Sequence, residues 1–266
     1  MTRARLMHGM HTMMTVFILI IITLPLIPLV LGAFSAQMPW PRLLPETWSL
    51  RAWDYIASSA SGTGEAILTS LTIAAVVTFI NIVLAVPVAD ALARYPFLGK
   101  SWIEAILYAP ILIPAFVSVM GMHMTFIRFG LTESAFGVVL AHLSPSLPYM
   151  VRAIMTSFGT LGFAWEEQGR MLGAGRMQRF RYIVLPHILP GIAAGAGLSM
   201  LVSLSQYLIT FLVGGGQVVT IPILLFPFAS GGDPAIAAAY TLVFAGLAAA
   251  ALWGLDGCLS WYYKRR

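Results

Sequence analysis

Residues 13–34, MMTVFILIIITLPLIPLVLGAF, contain no ionisable side chain. A helix rises about 1.5 Å per residue, so roughly 20 apolar residues cross the hydrocarbon of a bilayer. Five further stretches have the same character, at about 65–91, 103–126, 134–157, 187–212 and 235–258. The fourth is the weakest, since His142, Ser144, Pro145, Ser146, Pro148 and Arg152 interrupt it. Composition agrees with the segments. The 266 residues are 59% hydrophobic and 9% charged, with mean hydropathy +0.87, where soluble domains carry roughly 25% charged residues. The expectation is an all-α membrane protein with six transmembrane helices.

The cations orient these helices. Read alternately inside and outside along the chain, one set of segments holds Arg3, Arg5, Arg94, Lys100, Arg152, Arg170, Arg176, Arg179, Arg181, Lys264, Arg265 and Arg266. The opposite set holds only Arg42, Arg51 and Arg128, so the division is 12 against 3 of the 15. The positive-inside rule puts both termini in the cytoplasm. The net charge of +5 is thus a matter of topology and gives no sign of nucleic acid. Segments 35–64 and 213–234 become outer, periplasmic loops. Trp40, Trp48 and Trp53 suit headgroup level there, in a packing role. The first apolar run exceeds the 7–15 residues usual in a cleaved leader, so it is expected to remain as the first span. The single cysteine, Cys258, allows neither an internal disulfide nor a Cys-ligated metal site, and reads as a small buried apolar residue.

One cytoplasmic segment concentrates charge. In 166–191, EEQGRMLGAGRMQRFRYIVLPHILPG, Glu166, Glu167, Arg170, Arg176, Arg179 and Arg181 are six charges in 16 residues. A plain connection needs only a few residues, yet 162–186 runs for about 25. Phe163, Glu167, Arg170 and Met171 recur at helical spacing. Gly173 and Gly175 end that helix by accepting the left-handed conformation. The run RMQRFRYIVL is a second short piece, helical or extended. Pro186 fits an early helical position and Pro190 perturbs the next turn. Read this way, the segment is either a surface-lying anchor for anionic headgroups or a handle for a partner.

The spacing resembles the signature loop of permease subunits of binding-protein-dependent ABC importers: Glu-Ala-Ala, three residues, Gly, nine residues, Ile, any residue, Leu-Pro. Here Glu167, Gly173, Ile183, Leu185 and Pro186 take those positions, while Gln168 and Gly169 replace the two alanines. ADALARYPFLGK (89–100) resembles the end of the second span and the following loop in this family, and TFLVGGGQVVTIPILLFPF (210–228) resembles the segment after the fifth span in its polyamine, thiamine and ferric-iron branch. The resemblance implies a multi-pass protein of the bacterial inner membrane and a coupling loop at 162–186 that docks on a dimer of cytoplasmic ATP-binding subunits. Met171 and Leu172 would supply apolar knobs, Glu167 a charge for a basic partner residue, and Gly173 a bend. It further implies a second permease subunit, the same or a different chain, a periplasmic substrate-binding protein, and no catalytic residue, metal or cofactor on this chain. The 213–234 segment would hold a short helix closing the pore.

Other chemistry fits poorly. RYPFLGKS (94–101) ends like a phosphate-binding loop, but Arg94 stands where the first glycine must be. None of the five histidines has the His-Glu-x-x-His setting of a metalloprotease. The alternative function is a secondary transporter without an ATPase partner, which calls for inverted repeats and mid-membrane ion pairs; no convincing repeat is visible, and the acids lie mostly near span ends. Polar residues within spans are costly towards lipid, so Asn81, Ser203, Gln206 and Tyr207 are candidate pore residues. Asp90 is expected to pair with Arg94, and His123 and His142 to be satisfied by neighbouring helices. Gly191, Gly195 and Gly197 are expected to let the fifth helix pack closely.

Overall fold

The computed structural model describes residues 2–36 and 45–264. Trp40 and the side chain of Cys258 lie outside the described residues. In chain order the helices are α1 Thr2–Thr23, α2 Leu26–Ala33, α3 Arg51–Ala57, α4 Thr63–Arg94, α5 Lys100–Leu112, α6 Ala115–Arg128, α7 Ala135–Leu161, α8 Ala164–Met171, α9 Arg176–Arg179, α10 Leu185–Leu204, α11 Tyr207–Gly214, α12 Ile221–Ala229 and α13 Pro234–Lys264. Among the described residues extended pairing is limited to one isolated bridge, Ser35 with Trp48. Five helical stretches among the described residues are long and apolar enough to cross a membrane, and the α5–α6 pair makes a sixth if counted as one.

Proline explains one departure from six straight spans. The stretch 103–126, expected as a single helix, is two helices bent by 106°. The break falls at Ile113, which is extended (φ −80°, ψ 136°) before Pro114, as the clash of a proline ring with its predecessor favours. The stretch 187–212 is also divided. α10 stops at Leu204, Gln206 takes ψ 89°, and α11 begins at Tyr207. By contrast α7, the weakest stretch by hydropathy, is an unbroken helix of 27 residues with Pro145 and Pro148 inside it. Two of its interrupting polar residues, His142 and Ser146, are buried, while Arg152 is exposed.

The chain divides into two compact units, Met1–Gly64 with Leu224–Gly246 and Glu65–Ile223 with Leu247–Arg266. In the first, Ala52 and Ile56 of α3 pack with Ala235, Ala239 and Tyr240 of α13. Tyr240 is fully buried, and its hydroxyl lies 2.9 Å from Thr63 Oγ1, which in turn lies 2.8 Å from Ser61 Oγ. Arg51 pairs with Asp233, whose other carboxylate oxygen accepts the Ala235 N–H at 3.0 Å and so caps α13.

In the second unit, Met150, Ile154 and Phe158 of α7 meet Ala89 and Leu92 of α4 and Ile188 of α10. Glycine brings α10 against α7. A Cβ on Gly191 would stand 2.4 Å from Ser157 Oγ and 2.8 Å from the Ala153 carbonyl oxygen, and one on Gly195 would stand 2.6 Å from Met150 Sδ. With no side chain at these two positions, the backbones approach and dispersion contacts multiply. Gly197 faces a different neighbour, the Leu252 side chain of α13, at 3.2 Å.

Candidate functional site

The 162–186 segment is ordered by its own backbone chemistry. After α7, Gly162 adopts φ +63°, ψ −164°, a conformation open essentially to glycine. α8 then places Glu166 and Glu167 in its first turn and Arg170 in its last, the signs that the helix dipole favours. It closes at Gly173 (φ +81°). The Gly173 N–H donates to the Arg170 carbonyl at 3.0 Å and the Ala174 N–H to the Gly169 carbonyl at 2.9 Å, a Schellman closure. Gly175 differs from expectation. It is extended (φ −65°, ψ 166°) and starts α9, and its N–H donates to Gln178 Oε1 at 2.9 Å. The helical path then continues through a π-helical turn, Phe180–Val184, into α10, so the piece expected as helical or extended is helix running on into the fifth apolar stretch.

Burial separates a protruding part from an anchored part. Glu167 and Gln168 are exposed, and Met171 and Leu172 are 88% and 89% exposed. Two large apolar side chains at the tip of a charged helix are what a partner surface would cover. Gly169 is buried, and a Cβ there would stand 2.7 Å from Ile183 Cδ1. This glycine therefore seats α8 on the π-helical turn. Ile183, Leu185 and Pro186 are half-buried, while Val184 and Ile188 are buried in the core with Met150 and Phe158. Trp165 and His187 bring α8 beside α10, with ring centroids 6.3 Å apart.

Sequence reasoning anticipated the Asp90–Arg94 pair, which is present, but missed its third member. Arg94 also pairs with Glu166 of α8 and donates to the Gly162 carbonyl at 3.3 Å. The Arg94 side chain is 6% exposed and its guanidinium lies over the Phe158 and Phe163 rings, 4.8 and 5.0 Å from the centroids. Two carboxylates and two ring faces offset the cost of removing this charge from water. Only the i,i+4 half of the arrangement has a local sequence signal; Glu166 is 72 positions away. A cavity of about 400 Å³ adjoins it, lined by Arg94, Glu166, Arg176, Arg179 and Val184 among others.

The candidate pore residues fall into two settings. Asn81 is fully buried and its Nδ2 donates to Ser146 Oγ and Ser199 Oγ, each at 2.7 Å. Ser203 is buried, 3.0 Å from His142 Nδ1, and Thr210 Oγ1 lies 3.0 Å from His142 Nε2. These groups join α4, α7, α10 and α11 to one another. Gln206 and Tyr207 are half-buried at the α10–α11 break, with Tyr207 stacked on Phe211 at 5.6 Å. His142 is satisfied by its neighbours as expected; His123 Nδ1 has no hydrogen-bond partner. Among the described residues no three His, Cys, Asp or Glu side chains gather as a metal site.

The model of the family described as the binding-protein-dependent transport system inner membrane component matches residues 81–256. The chain belongs to this family. The matched region contains α8, the closing Gly173, the π-helical turn and α10, and membership makes the chain a multi-pass inner-membrane protein of the permease family. Among curated relatives, it is 30% identical over 158 residues to the sulfate transport system permease protein CysT of Salmonella typhimurium, covering 55% of this chain and 57% of that one. It is 27% identical over 168 residues to the spermidine/putrescine transport system permease protein PotC of Haemophilus influenzae, covering 63% and 65%. In both, the match spans less than two thirds of the relative's own length. A solved bacterial ABC transporter involved in the import of the polysaccharide alginate shares the fold at 14% identity. Its TM-score is 0.67, covering 90% of this permease and 91% of that chain.

Proposed function

We propose that this permease is the membrane-spanning subunit of an ABC importer. It forms half of a translocation pathway and couples ATP hydrolysis on a separate ATPase subunit to uptake of a substrate delivered by a periplasmic binding protein. The supporting observation is the pair Met171–Leu172, nearly fully exposed at the tip of α8, whose base is seated through Gly169 on a π-helical turn continuous with α10. An apolar tip on a short charged helix is a handle: it gains by docking, and it is joined to the bundle by helix. The ATPase biases the bundle by binding one arrangement of the handle better than another.

In this reading the chain has six spans with both termini inside, α5 and α6 together counting as one, and 35–64 and 213–234 lie on the periplasmic side. The 12-to-3 division of basic residues supports that orientation. The relatives are named for cargoes as different as sulfate and polyamines, so the shared body serves coupling and the cargo is set elsewhere, by the binding protein and the pathway lining. Gln206 and Tyr207, half-buried at a helix break, are better placed to line that path than the buried Asn81 and Ser203, whose Nδ2 and Oγ are engaged between helices.

The test is co-purification. Met171→Asp with Leu172→Asp is expected to leave the permease in the membrane and to lose the ATPase subunit. Full retention of the ATPase, with normal ATP-driven uptake, would remove the docking role from α8.

A further inference from the structure

We infer that Arg94 is a positioning residue that gives the handle a second output, carrying its displacement to α4 as well as to α10. The inference rests on the coupling role proposed above for α8. The link to α10 is covalent, through the π-helical turn Phe180–Val184. The link to α4 is made by side chains. Arg94 is the last residue of α4, and its guanidinium reaches three groups beyond its own helix: the Glu166 carboxylate in the first turn of α8, the Gly162 carbonyl oxygen at 3.3 Å, and the Phe163 ring at 5.0 Å. Tyr95, next in the chain, adds an edge-on contact to the same Phe163 ring at 5.4 Å. The whole entrance to the handle is thus fastened to the end of α4.

Three features make this a mechanical tie and more than a surface ion pair. The arginine side chain is 6% exposed, so solvent does not screen it as it screens exposed pairs. Its planar fork satisfies two carboxylates at once, a geometry that lysine cannot copy. And the neighbouring space is not filled: the cavity of about 400 Å³ is lined by Arg94, Glu166, Arg176, Arg179 and Val184 among others. Apolar packing also joins α4 to this region, through Tyr95 on Phe163 and through Ala89 and Leu92 in one cluster with Val184, and the charged contact adds the directed link between them. The two carboxylates have distinct jobs. Asp90 lies on α4 itself, four residues before Arg94, and orients the guanidinium within one helix. Glu166 lies on α8 and makes the contact between moving parts.

That asymmetry supplies the test. In a Cys258→Ser background, single cysteines at Ala91 (α4) and His187 (α10) report maleimide reactivity in the assembled transporter, without nucleotide and trapped with ATP and vanadate. In the otherwise native transporter both reporters are expected to change their labelling rate on trapping. With Glu166→Gln the Ala91 reporter is expected to lose its response while the His187 reporter keeps it. With Asp90→Asn both are expected to respond. A persisting Ala91 response in Glu166→Gln, or an equal loss in Asp90→Asn, would overturn the inference and leave a structural ion pair. If neither reporter responds in the unaltered permease, the coupling role of α8 itself fails, and the inference falls with it.

Discussion

A Cβ placed on Gly169 would stand 2.7 Å from Ile183 Cδ1. In the family pattern this position carries alanine, and by helix propensity alone glycine costs about 1 kcal/mol there. The neighbour is the free end of a flexible side chain. Gly169→Ala is therefore expected to gain about 1 kcal/mol of propensity and to lose a similar amount as Ile183 leaves its rotamer, at about 0.5–1.5 kcal/mol. The thermal midpoint in detergent should hardly move. Gly169→Leu has no room, and overpacking should lower the midpoint by the equivalent of about 1–3 kcal/mol and tilt α8.

Two glycines of α10 should separate in the same assay. Gly195 would carry its Cβ within 3.1 Å of the Met150 Cα, which is backbone and cannot swing away. Gly195→Ala is expected to cost about 1–3 kcal/mol, and shortening Met150 should restore only part of it. Gly197→Ala meets only the Leu252 Cδ2 methyl, at 3.2 Å, and should be close to neutral.

Gly173 tests conformation apart from space. Its φ is +81° and a Cβ there would meet nothing within 4 Å. Any loss on substitution is then conformational, about 1–2 kcal/mol for an ordinary L-residue, while asparagine tolerates that region. ATPase retention by the purified permease should follow the order glycine, then asparagine, then valine. Equal retention by all three would show that the turn does not position the handle.

Much of this arrangement was readable in the sequence, and the exceptions have physical causes. Hydropathy located the apolar stretches because crossing hydrocarbon demands length and apolarity, and both are local. It ranked α7 weakest, and rightly by hydropathy, since a window counts polar residues without knowing that His142 and Ser146 point at partners. It passed over the 106° break at Ile113, where prolines 110 and 114 were the available signal. Proline alone does not decide: Pro145 and Pro148 lie inside α7 without breaking it, where Ser146 and Met150 beside them are buried in the bundle. The exposed tip at Met171 and Leu172 followed from spacing and resemblance. The Arg94–Glu166 contact did not, because its two members share no periodicity.

Asn81 was read as a pore candidate, and its buried contacts make a different prediction. Interhelical hydrogen bonds in membranes are worth about 0.6 kcal/mol each on average and up to about 1.7. Asn81 donates two, to Ser146 and Ser199. Asn81→Leu should therefore lower stability by about 1–3 kcal/mol, while changes in uptake follow the amount of folded permease. An altered uptake rate at unchanged stability would place Asn81 on the pathway.

The docking of α8 can be tested directly by proximity. With Cys258→Ser as background, a cysteine at Leu172 carrying a short bifunctional crosslinker should join the permease to the ATPase subunit in the assembled transporter. The product would have the summed mass of the two chains. A cysteine at Leu98, equally exposed in the turn after α4, should give little of it. A Leu172 position that forms no such adduct, or no more than Leu98, would contradict the assignment of 162–186 as the element that meets the motor.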